Sequence, residues 1–218
     1  MNVTPVRHRL PVAALLTATV LVTGCQGGDG GTGGGAAALS LSGLTRTADE
    51  GTDACPLAYD LAKAAKAAGL DGAIGVGPAQ DDGDPVATAE GGRRAAPGEP
   101  LAENPGALVS CTFHIGENDV RVHTVATREP HAITPLAPVV QVLSASSIEE
   151  LADYLKKVFD TGPGDAVVTD SGNVAAVRLK LDGDGDACLL VGLGGAGAAS
   201  PGRRQQVGDL AETLANQV

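Results

Sequence analysis

Apolar positions recur along this chain with two periods, one helical and one alternating. Over residues 56–68, Leu57, Leu61, Ala64, Ala65 and Ala68 return every three or four positions, which puts them on one helix face. Pro56 suits a first turn, and Gly69 suits the left-handed residue after a helix end. Ile74-Gly75-Val76 predicts a short strand. Residues 108–115 and 120–127 predict a β-hairpin around Gly116-Glu117-Asn118-Asp119. Pairing Ile115 with Val120 across that four-residue loop sets Phe113 opposite Val122. These four then share the core side, and His114, Arg121 and His123 share the other. Residues 139–143 are a further strand candidate.

The strongest helical pattern covers 148–161, with Ile148, Leu151, Leu155, Val158 and Phe159 as its apolar stripe. Ser146 and Glu149 fit a capping box, in which each side chain satisfies a backbone N–H near the helix start. Lys156 and Lys157 stand in the last turns, where the helix dipole favours positive charge, and Gly162-Pro163 ends the segment. Residues 166–169, 173–181 and 187–193 then read as a three-strand meander. Val177, Leu179 and Leu181 fall on one of its faces, with Arg178 and Lys180 on the other. A last helix begins at Ser200-Pro201 and runs towards Val218 with Val207, Leu210, Ala211 and Leu214 inward. Strands joined by short turns imply an antiparallel sheet. The expected fold is therefore α+β, a two-layer sandwich whose mainly antiparallel sheet is covered on one face by about three helices.

The start of the chain breaks both patterns. Arg7, His8 and Arg9 precede 13 uncharged residues, 10–22, too few to span a hydrocarbon core of about 30 Å at about 1.5 Å per residue. A basic segment, a short apolar segment and small residues before a cleavage point are the parts of an export signal. The run closes on Val22-Thr23-Gly24-Cys25, which resembles the lipobox of bacterial lipoproteins. The resemblance implies a signal peptide over 1–24 and cleavage between Gly24 and Cys25. It also implies that Cys25 carries an S-diacylglyceryl group and an N-acyl group, so that membrane lipid is a partner through Cys25. Two acyl chains suffice for stable anchoring, where one binds only marginally. Residues 26–35 contain seven glycines and no large side chain, so 25–54 reads as a flexible tether. Residues 55–218 read as one domain, interrupted by a Pro-, Gly- and acid-rich stretch at 77–107 that reads as a disordered loop.

Charge and composition exclude some partners. The formal charge is −11, basic residues are scattered, and there are two Phe, two Tyr and no Trp. Nucleic acid needs clustered cations for its phosphates and aromatic platforms for unpaired bases, so it is not an expected partner. Beyond Cys25 stand Cys55, Cys111 and Cys188, an odd number in a compartment that permits disulfides. Three pairings are open. Cys55–Cys111 is favoured, because it pins the start of the first helix to a strand, while Cys188 sits in an apolar run as a buried thiol.

Two constellations invite a metal. Asp182-Gly183-Asp184-Gly185-Asp186 sets carboxylates at alternate positions, as calcium loops do. Ala187 and Leu193, however, occupy the positions where an EF-hand needs glycine and a bidentate glutamate. Asp-Gly repeats between apolar strands are also hairpin-turn chemistry, which is the preferred reading. His114, His123 and His131 read as sheet-face and loop histidines rather than a metal trio. No nucleophile elbow or phosphate loop occurs, and the glycines around Gly192 to Gly197 lack the acidic partner of a dinucleotide site. The expectation is a non-enzyme without a cofactor.

The layout resembles the small lipoproteins of actinobacteria, with a lipobox, a Gly-rich segment, Cys55-Pro56-Leu57 opening the first helix and Ser110-Cys111-Thr112-Phe113 in a strand. It is similar within that group to the Cse-type lipoproteins, which accompany an envelope-stress sigma factor and its sensor kinase. That resemblance implies an accessory or negative regulator acting by contact with a membrane or extracytoplasmic protein. An ion- or small-molecule-binding lipoprotein is the alternative, and a hydrolase of wall polymers has no residues to nominate.

Overall fold

Alternating strands can bury one face only if helices are carried to it, and this chain carries helices to both. The computed structural model describes residues 38–50, 55–76, 86–87, 101, 103–195 and 200–218. Strands β1 (Ile74–Val76), β2 (Val86–Ala87), β3 (Gly106–Ile115), β4 (Asn118–Thr127), β5 (Ala166–Val168), β6 (Val174–Leu179) and β7 (Asp186–Leu193) form one antiparallel sheet. The strand order is β1-β3-β4-β7-β6-β5, and β2 shares the outer edge of β3 with β1. The helices are α1 (Leu41–Glu50), α2 (Leu61–Ala67), α3 (Ala137–Ser144), α4 (Ile148–Asp160) and α5 (Pro201–Ala215).

The α+β class and the antiparallel sheet stand as expected, and three helices cover one face, with α1 in the place expected for the helix over 148–161. α1, α2 and α5 close that face over Val109, Phe113, Val120, Val122, Leu189 and Val191. A second helical layer joins them. α3, α4 and the 3₁₀ turn Thr134–Leu136 pack on the opposite face, against Leu108, Val125, Val174, Ala176, Cys188 and Leu190. Strand β7 lies between both layers, and each of its eight residues is buried. That double burial is why residues 187–191 are apolar without alternation.

The hairpin differs from expectation in register, not in face. Gly116 takes φ +59° and makes a two-residue turn with Glu117, the backbone that tight hairpins favour. Ile115 therefore pairs with Asn118 and Phe113 with Val120. The shift is two residues, and an even shift leaves every side chain on its side of the sheet. Phe113, Ile115, Val120 and Val122 keep the core side.

Residues 139–143 are not a strand. They lie in α3, where Val140 and Leu143 are buried at helical spacing from Leu136 just before the helix, and Val142 is 76% exposed. A five-residue apolar run carries too little pattern to separate the two periods. The start of α2 is Leu61, not Pro56. Asp60 caps it by accepting the Lys63 N–H at 2.9 Å, and Gly69 has the expected left-handed φ of +62°. The capping box of α4 stands one residue later than expected. Ser147 Oγ accepts the Glu150 N–H and Glu150 Oε2 accepts the Ser147 N–H, so Ile148 turns outward and Tyr154 takes the buried place.

The expected tether over 25–54 is shorter at its C-terminal end. Residues 41–50 form α1, with Leu44, Thr45 and Ala48 buried and Ser40 Oγ accepting the Gly43 N–H. Asp182 N–H donates to Leu39 O at 2.7 Å, which fixes the entry of the helix beside the β6–β7 turn. The expected loop over 77–107 also contains folded residues. Val86 and Ala87 pair with Leu108 and Ala107, and Leu101 is 2% exposed. Residues 1–37, with the expected signal peptide, Gly24, Cys25 and the glycine-rich part of the tether, lie outside the described residues.

Candidate functional site

The sequence-nominated residues separate into three places in the fold. Cys55 and Cys111 are joined by a disulfide with a Cα–Cα distance of 5.1 Å, the pairing favoured from the sequence. Cys111 points from β3 into the core beneath α1, α2 and α5, and the bond ties the segment before α2 to the sheet. Next to it, Tyr59 Oη hydrogen-bonds the buried Thr124 hydroxyl on β4, and burial pushes the Tyr59 phenol far up. Cys188 lies on the opposite face as a buried free thiol, its pKa raised first by burial and then by the Asp186 carboxylate.

The aspartates of the β6–β7 turn do not converge. Asp186 Oδ2 accepts the N–H groups of His131 and Ala132, each at 3.0 Å, and Oδ1 accepts from Arg178 Nη2 at 3.1 Å. Arg178 also donates to Phe159 O and Thr161 O at the end of α4. Asp186 is thus a structural acceptor that binds the β4–α3 loop and α4 to the sheet, with both oxygens engaged. Asp182 serves through its backbone at the entry of α1, and Asp184 stays exposed at the tip. Among the described residues no group of three His, Cys, Asp or Glu side chains is placed to hold a metal ion.

The three histidines are likewise apart. His131, at φ +75°, stacks on Phe159 with ring centroids 4.2 Å apart. His114 stands opposite Asp119 and packs over Gly75 of β1. His123 stands opposite Ser110, whose Oγ lies 2.9 Å from Nδ1. Its Nε2 is buried and has no hydrogen-bond partner among the described residues. Burial, and then the positive charge of Arg121, lower its pKa to about 4.

A groove of about 560 Å³ lies beside α1, lined by residues from Ser40 to Glu50. Arg46, Asp49 and Glu50 line it from the helix, and Arg128 and Asp182 line it from the ends of β4 and the β6–β7 turn. Its size is within the range of small-molecule sites, and its wall carries both signs of charge. Sequence reasoning missed it because α1 was read as tether. The signal was there in Leu41, Leu44, Thr45 and Ala48, at positions i, i+3, i+4 and i+7, hidden by the glycine-rich composition before it. The chain matches no family model, no curated protein and no solved structure.

Proposed function

We propose that this protein is a lipid-anchored extracytoplasmic protein that acts by contact with a membrane partner, as an accessory or negative regulator of an envelope-stress sensor. The observation that carries the reading is Val22-Thr23-Gly24-Cys25 directly after a basic and then an uncharged segment. The Cys55–Cys111 disulfide supports it, since such bonds persist in oxidising compartments outside the cytoplasm. The test is deletion of the gene with a readout of envelope-stress transcription, alongside Cys25→Ser and metabolic labelling with palmitate. Labelled wild type, unlabelled Cys25→Ser and altered transcription in both strains are expected. Unchanged transcription in both strains defeats the regulatory reading, and absence of label defeats the anchor.

A second reading, a small-molecule-binding lipoprotein, is favoured by the groove beside α1. Calorimetry of the full chain in detergent against a panel of small metabolites, with Arg46→Ala as the control, separates the two. Binding that Arg46→Ala abolishes supports the second reading.

A further inference from the structure

His123 stands on the sheet face that α3 and α4 cover, on the β3–β4 side of that cover. Leu108, Val125, Leu190 and Ala176 belong to the helix-covered cluster. Ser110 and Thr112 on β3, with Arg121 and His123 on β4, continue the same face towards the Gly116 turn and are partly exposed. α3 approaches the neighbouring row of Arg121 closely, because a Cβ added at Gly192, the β7 partner of Arg121, would meet Leu143 Cδ1 at 2.9 Å. His123 itself is opposed by Ser110 on one side and Leu190 on the other.

Its hydrogen bonding is one-sided. Either tautomer of the neutral ring satisfies Nδ1 through the Ser110 hydroxyl and leaves Nε2 unpaired. A protonated ring must place an N–H and a positive charge at that same unpaired position. Among the described residues the surroundings offer it no relief. On this face Arg121 of β4 is positive, and among the described residues no hydrogen bond or ion pair engages it. Asp119 stands at the far end of the hairpin opposite His114, and Cys188 and Arg178 stand beyond Leu190 and Ala176. Residues 137–144 of α3 contain no titratable side chain, and α4 brings the buried Tyr154.

We propose that the Ser110–His123 pair is an acid-sensitive latch: the neutral ring holds β3, β4 and the α3 cover closed, and its protonation opens this face of the sheet. The ring of an unfolded chain takes up its proton near pH 6.5, whereas the folded ring does so only near pH 4. Stability from the latch is complete above about pH 6.5 and falls as the pH drops to about 4. Over that window the unfolding constant rises about tenfold per pH unit, roughly 300-fold in all. This rests on the site's geometry and not on the regulatory reading above.

The test uses the full chain in detergent. Urea unfolding of wild type and His123→Asn is compared from pH 7 to pH 4, which cancels the carboxylates common to both. The wild type is expected to lose up to several hundred-fold more in folding constant than the variant, and its His123 C2–H resonance to titrate below pH 5. Amide exchange in β3, β4 and α3 should accelerate together as that resonance shifts. Parallel urea profiles, a His123 midpoint above pH 6, or exchange that does not follow the resonance overturns the latch. If His123→Asn does not fold, the wild-type resonance and exchange decide alone.

Discussion

At the scale of single residues, the two most consequential polar groups have opposite bonding. Asp186 is 9% exposed and spends both oxygens on three donors, so its charge is held by partners from β6 and the β4–α3 loop. Removing an acceptor of this kind leaves Nη2 of Arg178 and two amides without their acceptor, which costs more than the lost bonds themselves. Asp186→Ala is expected to destabilise by about 3 kcal/mol, and Asp186→Asn by less, in urea titrations at neutral pH. Equal small effects of the two substitutions would show that these donors find water instead. Among the described residues His123 has a partner on one nitrogen only, which makes it the proposed acid-sensitive position. Neither role could be read from residue type. The aspartates were recognised as a group of chemical interest, but their partners, Arg178 and the amides of His131 and Ala132, come from distant parts of the chain.

Among the elements, caps decide helix starts where periodicity leaves a choice of one or two residues. Ser146-Ser147-Ile148-Glu149-Glu150 contains two overlapping S-x-x-E boxes, and the chain uses the second. Ser147→Ala is expected to cost about 1 kcal/mol and Ser146→Ala clearly less, measured by thermal unfolding. The reverse order would place the cap at Ser146 after all. α1 shows how composition can mask an amphipathic helix. Leu44 is 1% exposed against the sheet, so Leu44→Ala should cost about 3 kcal/mol, whereas a residue in a tether would tolerate the change. A loss under about 0.5 kcal/mol would mean that α1 does not hold to the sheet. The apolar run at 139–143 was ambiguous because five residues span less than two helical turns, and Leu136 completes the pattern only if the preceding residues are also helical.

For the whole molecule, the sheet carries a helical layer on each side, and the disulfide ties one of those layers to it. Cys55 and Cys111 are 56 residues apart in sequence, a long loop whose closure restricts the unfolded chain. Loop-entropy arguments give about 4 kcal/mol for such a bond. Cys55→Ala is therefore expected to lower stability by about 2–4 kcal/mol and to leave Cys111 and Cys188 as free thiols. With the Cys25 sulfur lipidated, titration under denaturing conditions should count two thiols in that variant against one in the wild type. A count of three in the wild type would mean that the bond does not form in the protein as made.

The sequence by itself determined what depends on neighbours in the chain. Strand alternation assigned Phe113, Ile115, Val120 and Val122 to the core, and helical spacing assigned Val207, Leu210, Ala211 and Leu214. Both survive small errors in position, because a face is a repeating property. Tertiary structure decided what depends on distant partners: the two-residue register of the β3–β4 hairpin, the docking of α1, the second helical layer behind β7, and the roles of Asp186 and His123. The apolar run at 187–191 did record burial on both faces, though it could not name α3 and α4 as the cover. A side chain's chemistry is local, but its protonation, partners and exposure are set by whatever the fold brings against it.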